Sequence, residues 1–450
     1  MKRSVLVWSC CAVLWGACGV DDPGVVDRPT DGGTRPPVEK PPRPAEPITV
    51  RGKVLGVLGA PATAMSVLIP GEGRQVVRVD GTGAFSIAGV TPPYELIVAD
   101  PTRRFAAVYQ GLTLATPTLA PEFDSEAPRR SATVTGYVLG SLGNDTRLRI
   151  SLGGSGANGS GVVESVRGNE NNYSLSAEWR GYPSVAATVY ALQVEASDDD
   201  APPTRYLRFG QRDVSLTDDV TLSLQDFDLR SITQANLEGT VSVPAGHELR
   251  SRRMFLSPKP GSEFELFSDT SSAGPFNFVV PRIDGATLAL SVYATETPET
   301  EDRVELTYIK RGLSARATPA PLVLPETVRP LQPANEATAL TRGSDFSWSA
   351  FPGGVHRLLV VQDDDATETP YALAVFTKDT RATLPDLSPF GISVPASAEF
   401  FWYVDGLGPA ASVDDLVKLV EGGDPRFHGT GDYALSRTRR PRAFTTSATP

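Results

Sequence analysis

Apolar and polar residues alternate in short runs along most of the chain. Three runs share one pattern: Ile48–Gly56 (ITVRGKVLG), Ala132–Gly140 (ATVTGYVLG) and Ala235–Val243 (ANLEGTVSV). Apolar side chains two positions apart mark a half-buried strand. Each run holds a glycine at its centre, Gly52, Gly136 and Gly239. An aromatic residue follows each at a similar distance: Phe85, Tyr173 and Phe276, 33, 37 and 37 positions on. A third mark closes each copy: Tyr94–Val98 (YELIV), Tyr190–Val194 (YALQV) and Leu288–Tyr293 (LALSVY). A plan recurring at intervals of about 75 to 100 residues predicts repeated units, each one supersecondary module. In the first unit the inward set is Val50, Val54, Phe85, Ile87, Tyr94, Leu96 and Val98. Asp-Gly and proline-containing corners such as Asp80-Gly81 supply the turns.

Helical spacing is confined to one short stretch, Ser412–Val420. Val413, Leu416, Val417 and Val420 fall on one face. Ser412 with Asp415 three residues on forms a capping box with Asp in place of Glu, and Gly422-Gly423 can end the helix. The expectation is a short helix docked on the last sandwich. A long insertion on a rigid β-scaffold is a common place for function; a structural decoration is the competing reading.

The opening strand, the G-x-F-x-I strand at Gly83–Ile87 and the Tyr94–Val98 strand together resemble the carboxypeptidase regulatory-like domain. The resemblance implies a seven-stranded, transthyretin-like β-sandwich with an accessory role and no chemistry of its own. Residues 48–122 match best; 131–227 and 235–325 match in outline. Residues 328–447 resemble a bacterial fibronectin type III-like domain. The carrying residues are Trp348, placed as a core residue on its second strand, and the aromatic strand Phe401-Trp402-Tyr403-Val404. The chain departs from that family where residues 405–441 separate the last two strands. The fold class expected is therefore all-β, tandem β-sandwiches.

The N-terminus is of another kind. Lys2 and Arg3 precede an apolar run from Ser4 to Trp15, the layout of a secretory signal. Twelve residues are too few to span a bilayer core, which takes about 20. Gly16-Ala17-Cys18 resembles the lipobox of bacterial lipoproteins, which implies a signal peptide over 1–17 and lipid attachment at Cys18. Trp15 departs from that pattern, where an aliphatic residue is expected, and ordinary secretion with cleavage after Gly19 is the alternative. Residues 18–47 are rich in proline and carry Pro36-Pro37 and Pro41-Pro42. They read as a coreless stalk; at the polyproline II rise of about 3.1 Å per residue, residues 20–47 reach roughly 80 Å.

Composition narrows the function classes. The formal net charge is −11, which repels nucleic acid and anionic headgroups, so no nucleic-acid partner is expected. All three cysteines, Cys10, Cys11 and Cys18, lie in the first 18 residues, leaving no disulfide framework and no thiolate zinc site in the folded part. The three histidines, His247, His356 and His428, are scattered, and His247-Glu248 lacks the second histidine of a zinc-protease helix. There is no G-x-S-x-G elbow and no phosphate-binding loop. Asp198–Asp200 and Asp363–Asp365 are read as charged turns, with calcium ligation as the alternative. Trp179 and Tyr182 are the local candidates for a flat aromatic platform of the kind that binds sugars; a packing Trp is the competing reading. The expectation is a non-enzymatic cell-envelope lipoprotein without cofactor or metal. It is anchored at the outer membrane, or else secreted, and presents β-sandwich modules to a protein or polysaccharide. A carbohydrate-binding accessory and a secreted enzyme with an unrecognised site are the alternatives.

Overall fold

A computed structural model describes residues 46–448, apart from breaks at 57–59, 72, 74, 122–127, 140–145, 154–163, 168–171, 181, 196–201, 224, 260–261, 299–302, 316–320, 364–368 and 421–430. The chain is built of strands. The first unit holds β1 (Ile48–Val54), β2 (Ser66–Leu68), β3 (Val77–Arg78), β4 (Ala84–Val90), β5 (Tyr94–Asp100), β6 (Phe105–Leu112) and β7 (Thr118–Leu119). The second holds β8 (Arg129–Leu139), β9 (Thr146–Gly153), β10 (Glu164–Arg167), β11 (Asn172–Arg180), β12 (Ser184–Glu195), β13 (Arg205–Thr217), β14 (Val220–Leu222), β15 (Phe227–Asp228) and β16 (Arg230–Ser231). The third holds β17 (Thr233–Ser242), β18 (His247–Lys259), β19 (Ser262–Asp269), β20 (Pro275–Arg282), β21 (Thr287–Glu296), β22 (Val304–Leu313) and β23 (Leu322–Val323). The fourth holds β24 (Pro330–Gln332), β25 (Ala337–Leu340), β26 (Phe346–Trp348), β27 (Val355–Gln362), β28 (Ala372–Thr377), β29 (Arg381–Ala382), β30 (Glu399–Gly408), helix α1 (Val413–Val420), β31 (Tyr433–Thr438) and β32 (Arg442–Thr446).

One plan recurs three times. An opening strand lies between a later antiparallel strand and a short parallel closing strand: β4-β1-β7, β11-β8-β14 and β20-β17-β23. A second sheet faces each: β3-β2-β5-β6, β10-β9-β12-β13-β16 and β19-β18-β21-β22. In the second unit Val134, Tyr173, Leu175 and Trp179 from one sheet share a core with Leu148, Ile150, Val189 and Leu216 from the other, as in a sandwich. The fold is thus all-β, built of β-sandwiches. The spaced glycine and aromatic are cross-strand partners: Gly52 faces Phe85, Gly136 faces Tyr173 and Gly239 faces Phe276. A Cβ on Gly52 would lie 2.4 Å from the Phe85 ring, and one on Gly239 2.5 Å from that of Phe276. The glycine makes room for its own aromatic partner. In the second unit the Tyr173 hydroxyl donates to the Gln225 carbonyl at 2.5 Å, and Gln225 backbone takes the space over Gly136.

The sandwiches are not strung out singly. One sheet of fourteen strands runs from the third unit through the fourth into the first. β6 pairs in parallel with β28, from Phe105–Ala372 to Tyr109–Phe376. β22 pairs antiparallel with β31, from Val304–Thr438 to Ile309–Tyr433. The sheet is covered on both faces at the first of these seams. Leu96, Val98, Ala107, Tyr109 and Phe376 enter one core, while Ile97, Ala99, Ala106, Val108 and Val375 enter the other. That is why β5 and β6 are near-continuous apolar runs. The second unit joins differently: Tyr190, Leu192, Val194 and Phe209, on the outer face of its larger sheet, bury against Leu249, Met254 and Phe264 of the third.

All seven expected core residues of the first unit are buried, and so is Trp348. The inserted helix corrects one expectation. Ser412 caps α1, its hydroxyl accepting from Asp415 N at 3.2 Å and donating to the Asp415 carboxylate at 3.0 Å. The apolar face then docks chiefly on the first sandwich and not on its own: Val413, Leu416 and Val417 join Tyr94, Leu112 and Leu119. Asp414 accepts from Thr113 N and Oγ1 at the far end of β6. The first sandwich is open there, and Val355, Leu407 and Ala410 of the fourth complete its core.

Candidate binding groove

Two adjoining hollows lie on the third unit and at its joint with the fourth. The hollows, of about 290 and 220 Å³, share Tyr308 and Val323. Phe276, Leu313 and Leu322 line the first, and Pro325, Phe351, Pro352 and Pro409 the second. Among the described residues β23 pairs with β17 alone, through Val241–Leu322 and Ser242–Val323. Alternation along this short strand leaves Val323 outward, 68% exposed.

The far wall is fixed by a glycine-rich turn. A Cβ on Gly354 or Gly406 would lie 2.2 or 2.4 Å from the Phe351 ring, so that ring settles against bare backbone. Phe351 N donates to His356 Nε2 at 2.9 Å. This bond needs an unprotonated acceptor nitrogen. Burial does push the imidazole down to about 4. Lys378 Nζ donates to the Gly354 carbonyl at 2.5 Å and to that of Ala410 at 3.4 Å, tying both turns together.

At the other end Lys310 and Asp432 pair at 2.7 Å, Tyr308 Oη donates to Asp432 at 3.4 Å and Arg311 N donates to Asp432 at 3.1 Å. Burial first, and then the Asp432 charge, raise the Tyr308 hydroxyl to about 12. Tyr308 and Lys310 are the titrating groups that line the two hollows. They offer a hydrogen-bond donor and a cation. The groove can hold apolar side chains against aromatic and proline walls. Among the described residues no cluster of His, Cys, Asp and Glu could hold a metal ion, and no helix is long and apolar enough to cross a membrane.

The sequence-predicted site residues lie elsewhere. Cys18 lies outside the described residues, as do Asp198–Asp200, Asp364, Asp365 and His428. Trp179 and Tyr182 form no platform. Trp179 follows Tyr173, Leu175 and Ala177 on the inward face of β11 and is 1% exposed. Its Nε1 donates to the Tyr182 carbonyl at 2.7 Å, while the Tyr182 side chain is 49% exposed. Trp179 thus packs in the core of the second unit. The groove residues had no shared local signal, because they come from eight separate stretches of the third and fourth units.

No protein-family model and no curated protein matches the chain. Among solved structures it is similar to the Bacillus anthracis TIE protein, at 10% identity over 62% of this chain and 50% of that one, TM-score 0.15. The tip fimbrial protein Mfa3 of Porphyromonas gingivalis gives 10% identity over 41% of this chain and 78% of that one, TM-score 0.16. BcpA, the major pilin subunit of Bacillus cereus, gives 9% identity over 62% and 99%, TM-score 0.14. The chain spans half the length of the first of these. Similarity at this level carries no argument about function.

Proposed function

We propose that this chain is a non-enzymatic cell-envelope lipoprotein whose working part is a single rigid body of fused β-sandwiches that binds a partner at its surface. The observation that supports it is the continuous sheet through the third, fourth and first units. Modules built only to space would gain nothing from folding back on one another, whereas a body that must hold a surface in fixed geometry would. In this reading the three repeats are carboxypeptidase regulatory-like sandwiches and the fourth is fibronectin type III-like. The proline-rich stretch 18–47 does the spacing, and lipid on Cys18 holds it to the outer membrane. The groove between the third and fourth units is where an apolar segment of a protein partner would seat.

The test is metabolic labelling with a palmitate analogue, comparing wild type with Cys18→Ala. Label that appears in wild type and vanishes in the variant supports anchoring. Unlabelled wild type, free in the medium, would show that Trp15 blocks lipobox processing and that the same body is secreted.

A further inference from the structure

Among the described residues the three repeated units leave the same edge unpaired, the outer side of the strand antiparallel to the opening strand: β4, β11 and β20. An unpaired edge is a template for a further strand, and proteins blunt it with prolines, bulges or short strands. Two of the three are blunted. In the third unit Val241 N donates to the Gly274 carbonyl, so even-numbered residues of β20 turn their backbone to β17 and odd-numbered ones turn outward. Pro275 and Pro281 are odd-numbered, and each removes an outward N–H. In the first unit the outward carbonyl of Ala84 is taken by Asp80 N at 2.9 Å. Beyond it β4 breaks register with β1 and passes through Gly89 at φ +67.

β11 has none of these devices. It pairs with β8 over nine residues without a shift of register, and it contains no proline and no glycine. Its backbone polarity follows from its neighbours. Ser131 and Thr135 carbonyls accept from Asp219 N and Gln225 N, and Tyr137 N donates to Asp226. Odd residues of β8 therefore face β14 and β15, and even ones face β11. The register then sets Tyr173, Leu175, Ala177 and Trp179 toward β8, and Asn172, Ser174, Ser176 and Glu178 present their N–H and C=O groups outward.

We infer that β11 is a self-association edge, taking β11 of a second copy of this chain in antiparallel register about Ser176. The sequence is complementary to itself in that register. All nine positions overlap. Ser176 meets Ser176, Ser174 meets Glu178 and Asn172 meets Arg180, so no like charges stand opposite, an arrangement that would otherwise destabilise the pair. On the inward side Leu175 meets Ala177 and Tyr173 meets Trp179, which prolongs both cores across the two-fold axis. Outward-facing residues meet outward-facing residues, so every free N–H finds a carbonyl.

The test uses the full chain in detergent. Sedimentation velocity of wild type should show a concentration-dependent dimer. Ser176→Pro removes an outward N–H without touching the β8 ladder; its fold, read by circular dichroism, should persist while the dimer is lost. Independently, Ser176→Cys in a chain with C10S, C11S and C18S should give a disulfide-linked dimer on oxidation, because hydrogen-bonded antiparallel partners have Cα atoms about 5.5 Å apart, within disulfide reach. Asn277→Cys, the outward position on the blunted β20 edge, should not. A monomeric wild type, a dimer that survives Ser176→Pro, or equal cross-linking of the two cysteine variants overturns the inference.

Discussion

The fourteen-stranded sheet has two seams, and they are made of different materials. Where β6 meets β28 the contact is apolar on both faces. Tyr109 stacks on Phe376 at 4.7 Å, with Ala106, Ala107 and Val108 beside them. Where β31 joins the fourth unit to the third, polar contacts cross beside an apolar contact of Ile309 with Tyr433: Lys310 pairs with Asp432 at 2.7 Å, and an Arg311 guanidinium N–H donates to the Gly431 carbonyl at 2.9 Å. Behind that seam, within the fourth unit, Asp405, fully buried on β30, accepts from Arg357 Nε at 3.0 Å and from Arg437 Nε at 2.8 Å. Arg437 also stands over the Tyr403 ring at 5.6 Å. On the other side, within the third unit, Arg311 pairs with Glu263 at 2.7 Å, both buried. An apolar seam tolerates any pH and salt and holds by shape. An ionic seam specifies one alignment, and it fails sharply when one partner is removed.

The largest expected effect follows from that difference. Asp405→Ala leaves two guanidinium groups facing each other and should cost about 3–5 kcal/mol, measured by denaturant unfolding. A loss below about 1 kcal/mol would mean that the cluster backing the seam is not ionic in substance. Burial alone would raise the Asp405 carboxyl, but the Arg357 and Arg437 charges outweigh it and hold it below the usual range. The pair's stabilisation is therefore complete above the ordinary carboxylate range and is lost only as pH falls through the lowered value. Phe376→Ala, on the other seam, should cost about 3–4 kcal/mol by leaving a cavity under Tyr109. Its effect should be the same at low and high salt, whereas that of Asp405→Ala should not. Equal salt responses would erase the contrast.

His356 places a third test beside the groove. Its folded value, about 4, lies below the ordinary 6.5, so the unfolded chain takes up the proton first. Stability should be full above about pH 6.5 and should decline toward pH 4, by about 3 kcal/mol at most for 1.36 kcal/mol per unit. His356→Gln, which can still accept from Phe351 N, should flatten that part of the curve. If the variant keeps the wild-type slope, another group is responsible.

Much of this was legible in the residues, and the boundary has a physical cause. The three repeats could be read because strands within a unit pair with strands close by in the chain. Gly52 and Phe85 mark one cross-strand contact, repeated by Gly136 with Tyr173 and Gly239 with Phe276. The helix could be read because Ser412 and Asp415 cap it locally. Neither seam could be. β6 and β28 meet across most of the chain, and their continuous apolar runs read equally well as the core of an isolated sandwich. Trp179 sits between Glu178 and Arg180, polar company that suggests exposure, whereas its alternation with Leu175 and Ala177 decides its side.

The smallest effect bears on what the helix is for. If α1 were a decoration, loosening it would change nothing beyond itself. The contacts say otherwise: Thr113 gives both its N–H and its hydroxyl to Asp414, and that carboxylate sits in the first turn of α1, where a negative charge is favoured. Thr113→Val keeps the shape and the backbone bond and removes the hydroxyl bond alone. The expected loss is about 1–2 kcal/mol for a hydrogen bond to a charged acceptor. It should appear as faster amide exchange in α1 and in β7, which share a core with Leu119, while β30 and β31 exchange as before. Faster exchange confined to α1 would return the helix to a decoration. Faster exchange through β28 as well would show that the clasp and the apolar seam fail together, which would make the first and fourth units one cooperative element.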